Sequence, residues 1–142
     1  STVTYNVTGH FIDLRNGIIY ISLIGMLATN TERQYFKDLD KTFNIRKNLL
    51  TTLREEAKRL NILDKLSINY GGTVGIGVYP AEYDKVQVID LLKYKETYDK
   101  IIYFGDKYDE DGNDHQIINH ELVSGYKIDN VNKTYDTLEK LI

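Results

Sequence analysis

The hydrophobic periodicity of this sequence changes character at Pro80, its single proline, and that change constrains the fold more than any other feature. Before Pro80, short alternating runs flank two helical stretches. After it, helical stretches alternate with single apolar runs. The first pattern predicts an antiparallel sheet with helices packed on it, and the second a piece of a parallel sheet.

The N-terminal pattern opens with a hairpin. His10 to Leu14 is one strand, Arg15-Asn16-Gly17 the turn, and Ile18 to Ser22 the return. Asn-Gly is a strong hairpin signal because both residues tolerate the positive φ of a type I′ turn. Thr29-Asn30-Thr31-Glu32 fits a capping box, and Phe36, Leu39 and Phe43 form the apolar stripe of the helix it starts. A second helix is predicted from about Asn44 to Leu60, with Ile45, Leu49, Leu53, Ala57 and Leu60 on one face. Strands return at Lys65 to Tyr70 and at Val74 to Tyr79, and Gly71-Gly72 turns between them. The order is ββααββ.

Beyond Pro80 a helix is predicted over Lys85 to Tyr94. Lys100 to Phe104 is an apolar run of the kind buried on both faces. A Gly- and Asp-rich loop follows, then a short helix near Asn113 to Asn119, a strand at Gly125 to Ile128 and a closing helix from Val131 to Ile142. Two parallel strands are too few for a stable doubly wound layer, so this stretch reads as the end of a domain that begins elsewhere.

Charged residues make up 27% of the chain and hydrophobic ones 42%, enough to build a core and to exclude a disordered tail. The net charge of −3 argues against a general nucleic-acid binder. The chain has no cysteine, which excludes disulfides and thiolate metal sites. No apolar run approaches the ~20 residues of a membrane span, and no signal peptide opens the sequence, so the cytoplasm is the expected compartment.

Three groups of residues carry possible chemistry. The acidic loop from Gly105 to Asp114 follows an apolar strand, where open α/β sheets place ligands. Its carboxylates suit a hard cation such as Mg²⁺, or form a solvated turn. A calcium loop does not fit, because it would put Lys107 first and Ile118 last, where carboxylates are required. Arg33 falls in the first turn of a helix, where the macrodipole disfavours a cation. An anion bound there would account for it, as would a plain surface position. Arg15, in a tight turn, has the same two readings. Gly71 to Gly77 lacks the Lys-Ser/Thr of a phosphate loop and opens no helix. His10, His115 and His120 do not form a metal set.

Taken together, the pieces resemble the eukaryotic phosphomannomutases of the haloacid dehalogenase superfamily. The matching stretches are Phe11 to Gly17, Ile24-Gly25, Glu32 to Phe36 and Asn44 to Arg46. They continue with Gly71-Gly72, Val78 to Pro80, Tyr83 to Lys85, Ile102 to Lys107, Gly112 to Asp114 and Gly125-Tyr126. Order and spacing hold along nearly the whole chain, with a small insertion before Gly71. The resemblance implies an α/β protein of two parts. Residues 1–84 would be an α+β cap with an antiparallel sheet, and residues 85–142 the C-terminal part of a Rossmann-like core. It implies an isomerase of mannose metabolism, on the route to GDP-mannose, that interconverts mannose 6-phosphate and mannose 1-phosphate through an aspartyl-phosphate. Mg²⁺ would be the cofactor, hexose 1,6-bisphosphate the activator, and the assembly a homodimer formed through the cap. Residue by residue, Asp106 matches the Mg²⁺ ligand and Asp114 the second acid that supports it. Lys85 matches the catalytic lysine that neutralises the reacting phosphoryl group. Arg15 and Arg33 match arginines that hold the substrate's other phosphate.

The family's N-terminal Asp-x-Asp strand has no counterpart in these residues, so the chain alone is not expected to turn over. Three further departures concern ligands. Met26 stands where the family has a third arginine. Gly75 and Gly77 stand where it has Ser and Asp. His120 and Val123 replace an Asp and a Thr of a second ion site. A related sugar-phosphate phosphatase and a non-catalytic binding or dimerisation paralogue are the alternative readings.

Overall fold

The structure, a computed structural model, describes residues 3–95 and 97–142. The chain divides into two compact units at residues 82 and 83, close to the change of periodicity at Pro80.

The first unit follows the expected order. Strands β1 (Ile12–Arg15) and β2 (Ile18–Ser22) form the hairpin, helices α1 (Asn30–Phe43) and α2 (Ile45–Arg59) follow, and β3 (Leu66–Gly71) and β4 (Gly75–Pro80) complete the sheet. All neighbours are antiparallel and the strand order is β1-β2-β4-β3. The turn differs from expectation. Arg15 is the last strand residue, paired with Ile18, and only Gly17 takes a positive φ (77°). A type I′ turn needs two such residues, so the hairpin closes on Asn16-Gly17 by another geometry.

Helix α1 starts as its sequence predicts. The Thr29 hydroxyl accepts from the Glu32 amide at 3.3 Å, and the Glu32 carboxylate accepts from the Thr29 amide at 2.7 Å. Asn44 ends the helix in the left-handed conformation (φ 53°), which Asn tolerates better than most residues, and α2 begins at once. Asp40 ties the joint: its carboxylate accepts from the backbone amide and from Nε of Arg46, each at 2.7 Å.

Period-two alternation gives this sheet one apolar face. Leu50 and Ala57 of α2 pack on Ile68 of the edge strand β3 and Ile76 of the interior strand β4. A second cluster joins Phe36 of α1 to Ile24 and Val74, and Tyr5 meets the Phe36 ring edge-on at 5.1 Å. Each such large side chain removed from water contributes about 1.5–3 kcal/mol. Leu60, expected on the buried face of α2, lies beyond the helix and is exposed, because the chain turns away at Asn61 (φ 57°).

The second unit holds α3 (Gln87–Lys95), β5 (Ile101–Gly105), α4 (His115–Ile118), β6 (Val123–Lys127) and α5 (Val131–Leu141). Strands β5 and β6 are parallel, paired from Ile101↔Val123 to Gly105↔Lys127. Helix α3 begins two residues later than predicted, because Asp84 accepts from the amides of Val86 and Gln87 and holds Lys85 in a turn. Strand β5 was expected to be buried on both faces, yet Ile102 is 38% exposed, since β6 is the one strand beside it among the described residues. Ile89, Ile117 and Ile118 are the buried hydrophobic residues of this unit.

Candidate functional site

Each unit carries a depression lined by residues that the sequence singles out. In the first unit an open basin of ≈ 610 Å³ lies on the polar face of the sheet, lined among others by Arg15, Tyr20, Met26 and Arg33. Alternation puts Asp13 and Arg15 of β1 on the face opposite Ile12 and Leu14, and the register puts Tyr20 directly across from Asp13. Arg33 enters from the first turn of α1, where the capping box fixes the backbone. Its Nε donates to the Ala28 carbonyl at 3.1 Å, which orients the guanidinium and leaves its other N–H groups for a further acceptor.

Arg15 is held twice. Its Nε donates to Oδ2 of Asp13 at 2.5 Å, and its guanidinium lies 4.7 Å above the centroid of the Tyr20 ring. Tyr20 has its phenol pushed above the ordinary range by burial, against the opposing influence of Arg33, Arg15 and Arg46. Tyr20 thus shares the basin with Arg15, which lies over its ring, and with Arg33. Asp13 also lines the basin and offsets part of that positive charge. Met26 contributes an apolar side chain to the same wall.

In the second unit, Lys85, Asp106 and Asp114 line one depression of ≈ 470 Å³ at the C-terminal end of β5. Asp114 is buried and fully engaged. Oδ1 accepts from the Lys85 ammonium and, at 2.7 Å, from the Tyr103 hydroxyl, while Oδ2 accepts from the Lys107 amide at 3.0 Å. Gly105 makes this possible, because a Cβ there would stand 2.8 Å from the Cβ of Asp114. Burial raises the Asp114 carboxyl, but the bonds from Lys85, Tyr103 and Lys107 outweigh it and hold the group below its usual range. Burial lowers Lys85, and its bond and attraction to Asp114 reverse that, so the ammonium is held above its usual range.

Asp106 differs from Asp114. Its side chain is 59% exposed at the mouth of the depression and pairs with the neighbouring Lys107 at 2.6 Å. A hard cation takes oxygen ligands, often one or two carboxylates with several waters. Asp106 fits that role as a direct ligand. Asp114 fits a supporting one, since both its oxygens already have donors. Among the described residues no three His, Cys, Asp or Glu side chains cluster as a metal site.

Sequence reasoning assigned no role to Tyr20 or Tyr103. The signal for Tyr20 was available in the hairpin register, which sets it across from Asp13 once Arg15 is paired with Ile18. Tyr103 carried none, because its partner Asp114 lies across the loop and is reached only in the folded unit.

The family model described as eukaryotic phosphomannomutase matches residues 4–142. A phosphomannomutase of Triticum aestivum is 35% identical over 126 residues, which cover 89% of this chain and 48% of the relative. That of Schizosaccharomyces pombe is 35% identical over 133 residues, 94% of this chain and 50% of the relative. That of Encephalitozoon cuniculi is 34% identical over 134 residues, with shares of 94% and 50%. The chain thus spans about half the length of these curated relatives.

Proposed function

This chain belongs to the eukaryotic phosphomannomutase family, and from that premise we propose that the whole protein is an isomerase interconverting mannose 6-phosphate and mannose 1-phosphate. The first unit is then the cap and the second the C-terminal part of the catalytic core. The observation that carries the proposal is the convergence of Arg15 and Arg33, from different elements, on one basin.

Moving a phosphoryl group between two positions of one sugar requires a second site that holds whichever phosphate is not reacting. Arginine suits that task, because its planar fork meets phosphate oxygens bidentately. In the proposal Arg15 and Arg33 grip this remote phosphate. Met26 contributes no charge, so the grip is weaker than one with three cations.

At the other depression Lys85 is the catalytic residue. Its ammonium, kept charged by Asp114, donates to the oxygens of the transferring group. Tyr103 shares Asp114 and fixes the carboxylate from a second direction. Asp106, with Asp114 behind it, would hold Mg²⁺, which when bound offsets charge on the phosphoryl oxygens. The nucleophilic aspartate of the proposed aspartyl-phosphate lies in polypeptide beyond these residues, and hexose 1,6-bisphosphate is the proposed activator.

A homodimer and a cytoplasmic location complete the proposal. Ile12, Leu14 and Ile19 lie on the apolar face of the sheet, at its β1 edge, and remain exposed, which supports a second copy docking there. Among the described residues no helix is long and apolar enough to cross a membrane.

The test is a mutase assay on the full-length protein with mannose 6-phosphate, hexose bisphosphate and Mg²⁺. The expected result is formation of mannose 1-phosphate, lost in Lys85→Ala and Asp106→Ala. Release of inorganic phosphate without isomerisation would replace the proposal with the phosphatase reading.

A further inference from the structure

We propose that Tyr20 is a positioning residue of the phosphate basin and acts through Arg15. The inference rests on the reading of that basin as a phosphate grip and adds to it the element that orients one of its arginines.

Tyr20 stands on β2 with Gly77 of β4 on one side and Asp13 of β1 on the other. The far end of its ring fills space that two glycines leave vacant. A Cβ built on Gly71 would sit 2.6 Å from Cε2 of the ring, and one on Gly75 would sit 2.5 Å from Cζ. The hydroxyl donates to the Gly71 carbonyl at 2.9 Å and fixes that end. The bare backbone of β3 and β4 is thus a seat for the ring. Side chains at these positions would push the ring off it.

The seated ring decides what Arg15 can do. Asp13 takes the Nε of Arg15, and the guanidinium lies over the aromatic face. A cation on a ring face is held by the ring quadrupole without using its N–H groups. The terminal amino groups of Arg15 therefore stay available to an anion. With the ring removed, the guanidinium can turn and meet Asp13 with both arms of its fork, and that closed pair competes with phosphate. Gly75, which the family resemblance marks as a departure from Ser, is in this light the partner that Tyr20 requires.

Calorimetric titration of mannose 1-phosphate into the full-length protein tests the inference, with circular dichroism and the thermal midpoint recorded for each variant. Tyr20→Leu removes the ring. Tyr20→Phe keeps it and loses only the bond to Gly71. Gly71→Ala leaves the ring intact but takes its seat. Tyr20→Leu and Gly71→Ala should each weaken binding about three- to thirtyfold, the range for loss of a cation–ring contact. Tyr20→Phe should restore affinity to within about threefold of the parent, and the double variant Tyr20→Leu/Gly71→Ala should bind no worse than Tyr20→Leu, as for coupled neighbours. Parent affinity in both Tyr20→Leu and Gly71→Ala, while Arg33→Ala still weakens binding, would overturn the inference and leave the basin reading standing. Additive losses in the double variant would overturn it as well. An Arg33→Ala variant that binds as the parent does would overturn the basin reading and the inference with it. If Tyr20→Leu does not fold, Gly71→Ala decides: parent affinity there rejects the inference.

Discussion

The Lys85 ammonium and the Asp114 carboxylate form an ion pair buried unevenly, with 42% of the lysine side chain exposed but only 4% of the aspartate. The carboxylate is the costly partner to leave unpaired. Lys85→Ala should therefore lower the stability of the second unit more than Asp114→Ala does, because it leaves that carboxylate buried without its cation. The expected loss for Lys85→Ala is about 2–3 kcal/mol, toward the low end for buried pairs because the lysine keeps access to water. Urea unfolding of both variants measures the difference.

The same pair sets a pH window. Asp114 titrates below the ordinary carboxylate range when folded, so its contribution is complete above the unfolded value of ~4 and is lost as pH falls through the lower folded value. Lys85 titrates above its ordinary range, so its contribution is complete below ~10.4 and is lost as pH rises through the higher folded value. Thermal midpoints in metal-free buffer should therefore be flat between these limits and fall on both sides. Asp114→Asn should flatten the acid limb.

Asp40 and Arg46 make a tighter joint, with 11% and 17% of their side chains exposed. Arg46 also donates to the Gly72 carbonyl at 3.2 Å and lies 4.8 Å over the Tyr70 ring, tying the α1–α2 corner to the β3–β4 turn. Asp40→Ala leaves a mostly buried guanidinium without its carboxylate. The expected cost is about 3 kcal/mol by chemical denaturation, with the larger effect on the first unit.

Phe36 is fully buried between Ile24, Val74 and Tyr5. Phe36→Ala should cost about 3–5 kcal/mol, and Phe36→Leu less, because leucine fills more of the cavity. Equal losses in the two variants would show that the site collapses around either residue.

What could be read from sequence was local. The Asn16-Gly17 turn, the Thr29–Glu32 capping box and the glycines before β4 each act over a few residues, and the structure has all three in place, although the hairpin turn is shorter than Arg15-Asn16-Gly17 and is not type I′. The contacts that were missed join distant segments. Tyr20 reaches the Gly71 carbonyl 51 residues away, and Lys85 reaches Asp114 29 residues away. Such contacts depend on register and on which backbone lies bare beneath a ring, and no single stretch encodes either. Arg15 shows the same limit at short range. Its residue type and place suggested an anion site, but its pairing with Asp13 follows only from both sitting on one face of β1.

Met26 offers a gain-of-function test. A third arginine in the basin wall should tighten sugar-phosphate binding about tenfold, the value of one charge-assisted contact near 1.5 kcal/mol. Titration of Met26→Arg in the full-length protein checks this, and weaker binding than the parent would mean that the wall cannot take the longer side chain.

The central claim is that the basin between β1 and α1 is a phosphate grip. Calorimetric titration of mannose 1-phosphate into the full-length protein and its Arg33→Ala variant tests it most directly. Loss of one charge-assisted arginine contact predicts a drop in affinity of about ten- to a hundredfold, with no change in thermal midpoint. Unchanged affinity would contradict the claim and favour a non-catalytic role for this chain.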